Sequence, residues 1–299
     1  DHCSDDTLKK INKEIPIYIH SFHSKFLKSK LERIGFKVIE LENNKRTKLD
    51  DNAYLNIFAA DNCNPELCFK FAGCADFSAK NGHSQQIDTL CVIDDGNEVL
   101  VNVNDCPFEL AGHHIKKIRY DYDKIDILLT GYQNASAYPQ CFENLSLAQK
   151  KIGGEIASKK CLDRALSFIK ILNPKYYLPF AGTYTLGGQL SVLNSQRYVP
   201  TIDEAYDYLE KNIGNKTNIP IKINPETTFD SCLNETSLPF KNFDKKSWLH
   251  HIDNYLSKKK YFYENNESIK TSELHDLIGI AHKKWIDKKR LNNIDIKKT

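Results

Sequence analysis

Three short polar segments carry side chains able to hold a metal ion or move a proton. Asp1-His2 stands just ahead of Ser4-Asp5-Asp6-Thr7, which opens a helix at Leu8 and Ile11, so a carboxylate and an imidazole lie together near a helix start. Gly82-His83-Ser84 places a second imidazole in a polar loop before a strand, a position suited to metal ligation or acid–base work. Asn102-Val103-Asn104-Asp105-Cys106-Pro107 ends a strand in an aspartate, and the proline stops the ladder there. Two polar and aromatic loops follow buried strands. One runs from Gly131 to Phe142 and holds Tyr132, Asn134 and Tyr138; the other runs from Phe180 to Tyr184. Loops in such places often contact substrate, and Tyr138 and Tyr184 could donate to a sugar or phosphate oxygen. Each feature also has a plain structural reading: an Asx-turn for Asp105, a surface histidine for His83, packed aromatics for the tyrosines.

These residues need elements to hold them. Ile15 to His20 is predicted as a buried strand, Phe26 to Ile34 as a helix closed by Gly35, and Lys37 to Leu41 as the next strand. This β-α-β run signals a layered α/β domain. Tyr54 to Ala60, Thr89 to Asp94 and Val99 to Val103 follow as strands without helices between them, the last two joined by a tight turn at Asp95-Gly96-Asn97. Then helix and strand alternate: Phe108 to Ile118 helical, Ile125 to Thr130 a strand, Ser146 to Leu172 helical, Lys175 to Phe180 a strand. Thr201 to Asn212 is a helix with a capping signal, and Ile219 to Ile223 a short strand. Hairpins at one point and β-α units elsewhere make a mixed sheet. From about Phe240 onward the pattern is amphipathic helix, around Trp248, Tyr255, Leu277 and Trp285.

The 299 residues suffice for a sizeable core. Hydrophobic residues at 40% and charged residues at 27% are ordinary for a globular protein, and a net charge of +3 gives no electrostatic ground for nucleic-acid binding. Lysines 258–260, 283, 284, 288 and 289, with Arg290, read as a solvated helical face. The nine cysteines are odd in number and show no CxxC spacing, which points to a reducing, cytoplasmic setting. Cys63, Cys68 and Cys74 are separated by 4 and 5 residues and fit no common zinc pattern. No run approaches the ~18 apolar residues of a membrane helix, so no membrane span is expected. Glycine-rich nucleotide loops, a nucleophile elbow and the HExxH zinc motif are all missing.

Taken in order, the polar segments resemble the metallo-β-lactamase superfamily. DHCSDDTL looks like the tail of its HxHxDH motif, GHS at 82–84 like its next histidine motif, and the strand ending in Asp105 like its metal-bridging aspartate. The wording NVNDCP, DILLTGYQNASAYPQCF and PFAGTY is similar to the branch that includes CMP-N-acetylneuraminate hydroxylase-like proteins, over about residues 1 to 230. The resemblance implies an α/β fold of α+β type, an αββα sandwich of two mixed sheets flanked by helices. It implies that the chain begins inside the first motif and lacks the first strands, as an opening on Asp1 without any methionine would suggest. Residues 1–235 would form that domain and 236–299 a helical, lysine-rich extension.

The same resemblance implies Asp1, His2, His83 and Asp105 as metal ligands, with Asp1 also orienting water and taking its proton. Tyr132, Asn134, Tyr138 and Tyr184 would hold a small-molecule substrate. The metal would be divalent: zinc first, with iron or manganese also suited to His and Asp ligands. A bound metal brings the pKa of water toward ~7. The sequence departs from the hydrolases of the superfamily in one respect. No histidine occurs from Ile115 to Leu249, where they place one more ligand, and a protonated lysine cannot replace it. Nor is a Rieske motif present, unlike the hydroxylases. The expected activity is metal-dependent hydrolysis of a phosphorylated or sugar-containing small molecule. The alternatives are a relative of the nucleotide-sugar hydroxylases working with an iron–sulfur partner, and a non-catalytic binding scaffold.

Overall fold

The computed structural model describes residues 4–22, 25–59, 89–103, 105–133, 135–214, 217–261 and 270–292. Its centre is a seven-stranded mixed sheet in the order β3-β4-β5-β6-β7-β8-β9. The strands are β3 (Thr47–Asp50), β4 (Ala53–Ala59), β5 (Thr89–Asp94), β6 (Val99–Asn102), β7 (Ile127–Gly131), β8 (Tyr176–Phe180) and β9 (Ile219–Pro220). β3 to β6 form an antiparallel meander, and β6 to β9 are parallel. The chain is therefore of mixed α/β architecture. A separate parallel pair, β1 (Ile17–His20) and β2 (Val38–Leu41), is linked by helix α2 (Phe26–Ile34), after a short α1 (Asp5–Leu8).

Side-chain alternation gives the large sheet two different faces. Phe58 pairs with Leu90, Val92 with Val101, Val101 with Leu128 and Leu128 with Tyr177 across four strand boundaries, so these six share one face. They form the main core with Leu110, Ile115 and Ile118 of α3 (Phe108–Asp121), Ile169 and Leu172 of α4 (Leu147–Leu172), and Leu209 of α5 (Ile202–Ile213). On the other face Leu55, Ile57 and Cys91 pack under Tyr18, Ile39 and Leu41 of the two-stranded sheet. Helices thus lie on one side of the large sheet and a small second sheet on the other.

Local chemistry fixes the ends. Gly35 closes α2 at φ +104°, a left-handed conformation that glycine adopts without penalty. Ser146 and Gln149 form a capping box at α4, and Thr201 and Glu204 form another at α5. In the β5–β6 turn, Asp95 Oδ1 accepts from the amides of Asn97 (2.8 Å) and Glu98 (2.7 Å). Asp126, 8% exposed, ties the start of β6 to β7 by accepting from Val99 N–H at 2.8 Å.

Beyond the expected elements the structure adds β3, a 3₁₀ segment at Gly188–Gln196, and a β10 (Phe229–Asp230)–β11 (Glu235–Thr236) ribbon. α6 (Lys245–His251) runs into a π turn at Ile252–Leu256, and α7 spans Thr271–Asn292. None of the described helices is long and apolar enough to cross a membrane.

His20 and His114 are buried at 8% and 6% exposure. Burial pushes both imidazoles below their ordinary value near 6.5; His113 pushes His114 the same way. A histidine held neutral in the folded state takes up its proton first in the unfolded state. Its contribution to stability is complete above pH 6.5 and is lost as pH falls below that value. The urea midpoint should therefore drop between pH 7.5 and 5.5, and His114→Leu should flatten that slope. An unchanged slope in the variant would remove His114 as its source.

Candidate functional site

The parallel run sets the site's location. β6, β7 and β8 point the same way, so the loops leaving their C-terminal ends emerge at one edge of the sheet, where open α/β sheets bind ligands. β6 leads to Asp105, β7 to the segment 132–146, and β8 to Ala181-Gly182-Thr183-Tyr184. Asp105 is exposed at the end of its strand. Its neighbour Cys106 is 3% exposed and belongs to the hydrophobic core, so it packs rather than faces the mouth.

The four aromatic and amide residues expected to meet substrate part company here. Tyr138 and Tyr184 line one cavity of about 200 Å³ together with Gln133, Ser136, Gly154 and Arg197. Tyr132 lies outside it. It is 3% exposed and its hydroxyl shares a 3.0 Å hydrogen bond with Thr183 Oγ1, which joins the β7 and β8 loops. Asn134, Asp1, His2 and His83 fall outside the described residues, as do Cys63, Cys68 and Cys74. Among the described residues no three His, Cys, Asp or Glu side chains converge as a metal centre.

Glycines let the aromatics approach. A Cβ at Gly182 would run into the Tyr132 ring, and one at Gly153 would run into Tyr138. A Cβ at Gly154 would come within 2.6 Å of Tyr198 Cβ. Both helical glycines therefore let the Tyr138 and Tyr198 side chains approach the α4 backbone, at roughly 1 kcal/mol each in helix propensity. Ala181 and Tyr198 are held at φ +51°, an uncommon conformation for residues with a Cβ.

One buried cation, Arg197, lines this cavity, and a second, Lys150, is connected to it through Gln140. Arg197 is 5% exposed. Its Nη1 donates to the Tyr184 carbonyl, and its guanidinium lies 4.9 Å from the Tyr184 ring centre and 5.2 Å from that of Trp248. Its Nε–H is buried with no acceptor. Lys150, 8% exposed, donates to the Gln140 carbonyl at 3.0 Å and to Gln196 Oε1 at 2.9 Å. Neither cation forms an ion pair with a carboxylate among the described residues. Between them Gln140, 1% exposed, donates to Tyr184 Oη at 2.8 Å and to the Ser136 carbonyl at 2.5 Å. Tyr184 Oη itself donates to the Ser136 carbonyl at 2.9 Å. Burial raises the Tyr184 hydroxyl and lowers the Arg197 guanidinium relative to their ordinary values.

No protein-family model and no curated protein matches the sequence. Among solved structures, a mutant of the CmlA β-hydroxylase aligns over 69% of this chain and 37% of its own, at 12% identity and a TM-score of 0.42. The metallo-β-lactamase-fold protein YhfI from Bacillus subtilis aligns over 69% of this chain and 61% of its own, at 11% identity and a TM-score of 0.36. The chain spans less than two thirds of the length of either neighbour.

Lys150, Gln140 and Arg197 were not legible as site residues in the sequence. A lysine in a long helix and an arginine after a polar stretch read as solvent-facing, and their burial follows from how the 184–198 segment folds over the α4 N-terminus.

Gly182→Ala tests how the two loops are joined. The added methyl should displace Tyr132 and destabilise the protein by about 1–3 kcal/mol in urea unfolding. A wild-type midpoint would show that the Tyr132 ring is not held against the 182 backbone.

Proposed function

We propose that the protein is a metal-dependent hydrolase of the metallo-β-lactamase type acting on a small molecule that carries an anionic, phosphorylated group. The observation that supports the anionic substrate most is Arg197, a buried guanidinium lining the cavity, with an unpartnered Nε–H and no carboxylate partner among the described residues. Burying a charge without a counter-charge costs several kcal/mol, and a phosphate oxygen at that place would offset it. Arginine suits this role because its planar fork matches phosphate oxygens. The cavity, about 200 Å³, is below the usual 300–1,000 Å³ of drug-sized sites and suits a head group rather than a whole ligand.

In this reading Asp1, His2, His83 and Asp105 hold the ion, a set of nitrogen and oxygen donors that fits zinc, iron or manganese. The exposed Asp105 at the C-terminal end of β6 is compatible with that role. A divalent ion there would act as a Lewis acid and supply activated water at neutral pH. With that ion bound, Asp1 would orient the water and take its proton. Arg197 binds the anionic group, with Lys150 adding to the positive potential. Tyr138 borders the entrance at 40% exposure, and Tyr184 positions Gln140. Tyr132 supports the loops through Thr183.

Metal content and turnover of the full-length protein decide the matter. Wild type should carry one or two zinc, iron or manganese ions, and Asp105→Ala should lose at least one of them. Against phosphomonoesters, phosphodiesters and nucleotide sugars, Arg197→Gln should raise KM roughly 30-fold, the equivalent of about 2 kcal/mol for a charge-assisted contact, with metal content unchanged. A folded, metal-free wild type would remove the hydrolase and favour a binding scaffold. Turnover with KM indifferent to Arg197 would remove the anionic substrate.

A further inference from the structure

A second polar cavity, of about 490 Å³, opens at the opposite end of the same strands. Asn44, Arg46, Asn56, Asp94, Lys117 and Tyr122 line it. It gathers around the β5–β6 hairpin and the last turn of α3, whereas Asp105 and Arg197 belong to the other edge.

Its charges are internally paired. Asp94, 5% exposed, accepts from Arg46 Nε at 2.9 Å and Nη2 at 2.5 Å, and from the Gly96 amide at 3.2 Å. The Arg46 guanidinium also lies 3.4 Å from the Tyr54 ring centre. Lys117 Nζ is 2.9 Å from Asp121 Oδ2. An ionic ligand would have to compete with one of these pairs. The neutral groups are less well served. Asn56 is 4% exposed; its amide reaches Asn44 Oδ1 at 3.4 Å and also hydrogen-bonds the Tyr122 hydroxyl, while its Oδ1 is buried without a donor. A buried amide oxygen left in that state keeps its desolvation penalty uncompensated. Asn44 is held at φ +55°, in the left-handed region that few non-glycine residues occupy. Its amide N–H donates to the Ile57 carbonyl at 2.8 Å, which fixes the bend. A left-handed asparagine and an orphaned buried amide oxygen thus meet on one cavity wall.

We propose that this cavity binds a neutral, hydroxyl-rich ligand of monosaccharide or cyclic-polyol size. A sugar hydroxyl both donates and accepts. The wall offers both kinds of partner: the Asn44, Asn56 and Tyr122 side chains, beside the remaining acceptor and donor capacity of the Arg46–Asp94 and Lys117–Asp121 pairs. Rotation of the Asn56 amide about its last torsion exchanges donor for acceptor toward the cavity. Val99 and the Tyr122 ring supply an apolar strip for ring C–H groups. The volume falls within the range of small-molecule sites. Nothing in this assignment depends on hydrolysis at the other edge.

Saturation-transfer NMR on the full-length protein tests it, with D-glucose, D-galactose, N-acetyl-D-glucosamine and myo-inositol as probes at millimolar concentration. Asn44→Gly removes an amide while suiting the positive φ, and Tyr122→Phe removes one oxygen, so both variants should fold. At least one probe should receive saturation from wild type and from Arg197→Gln. Affinity for it should fall about tenfold in Asn44→Gly and in Tyr122→Phe. Transfer to none of the four probes overturns the proposal, as does transfer undiminished in both variants. Loss of transfer in Arg197→Gln alone would place the sugar at the other edge and overturn it equally.

Discussion

Parallel strands cannot be joined by a tight turn. Each step from β6 to β7 to β8 to β9 must leave the sheet at one edge, cross a face and re-enter at the other edge. α3, α4 and α5 make those crossings on one face, which is why the buried side of the sheet is lined by Val92, Val101, Leu128 and Tyr177 and closed by Ile115, Ile169 and Leu209. The same constraint gathers the outgoing loops at a single edge. Asp105, the 132–146 segment and the 181–187 segment are distant in sequence and neighbours in space because the crossings leave them no other place. The antiparallel meander β3 to β5 is free of this constraint, and its hairpin opens at the other edge.

Within that frame the environment of Arg197 is the most demanding. A guanidinium at 5% exposure with aromatic rings near it gains some cation–π attraction, worth on the order of 1–2 kcal/mol, and one carbonyl contact. Those terms are smaller than the several kcal/mol lost on desolvating an ion. Trp248 is held by donating its indole N–H to Thr185 Oγ1 at 2.9 Å, so α6 is drawn over the site as one wall of the arginine's surroundings. Phe243 N–H donates to Asp203 Oδ2 at 2.7 Å, and Phe240 meets Tyr206 edge-on. The segment from 240 to 261 is thereby attached to α5 and to the β8 loop, so a chain region that reads as peripheral helix forms part of the surroundings of Arg197.

The elements were legible wherever a local rule decides them. Gly35, Ser146, Thr201 and the Asp95-Gly96 turn mark boundaries through φ preferences and capping that act over a few residues. α2 and β5 match their expected bounds, and most other expected elements differ by one or two residues at an end. β3, β9 and the β10–β11 ribbon were harder because they are short and half-exposed: Thr47–Asp50 alternates without an apolar run, and Ile219–Pro220 is shorter than the strand expected there. At the site, the type of loop was legible but its inner wiring was not. Tyr132 and Tyr184 share a sequence signature, a tyrosine just past a buried strand. One is committed to Thr183 behind a glycine, and the other faces a cavity. That difference arises from Gly182 and from Gln140 reaching back across 44 residues to the Tyr184 hydroxyl, and no local pattern encodes either.

The two edges of the sheet also differ in how they treat charge, and the difference has a common cause. Around the cavity at the meander edge the cations are paired, Arg46 beside Asp94 and Lys117 beside Asp121. Such pairs form from short-range geometry and leave neutral groups to define the cavity. At the parallel edge the cations come from α4 and from the segment after the 3₁₀ turn, and the loops that meet them supply carbonyls, amides and phenols rather than carboxylates. A protein anion there would quench the positive potential. No carboxylate is among the residues lining that cavity, which keeps the potential available to whatever enters from solvent. One sheet thus presents an electrostatically balanced pocket at one end and an unbalanced one at the other, and ligands of different charge would be sorted between them before any finer recognition acts.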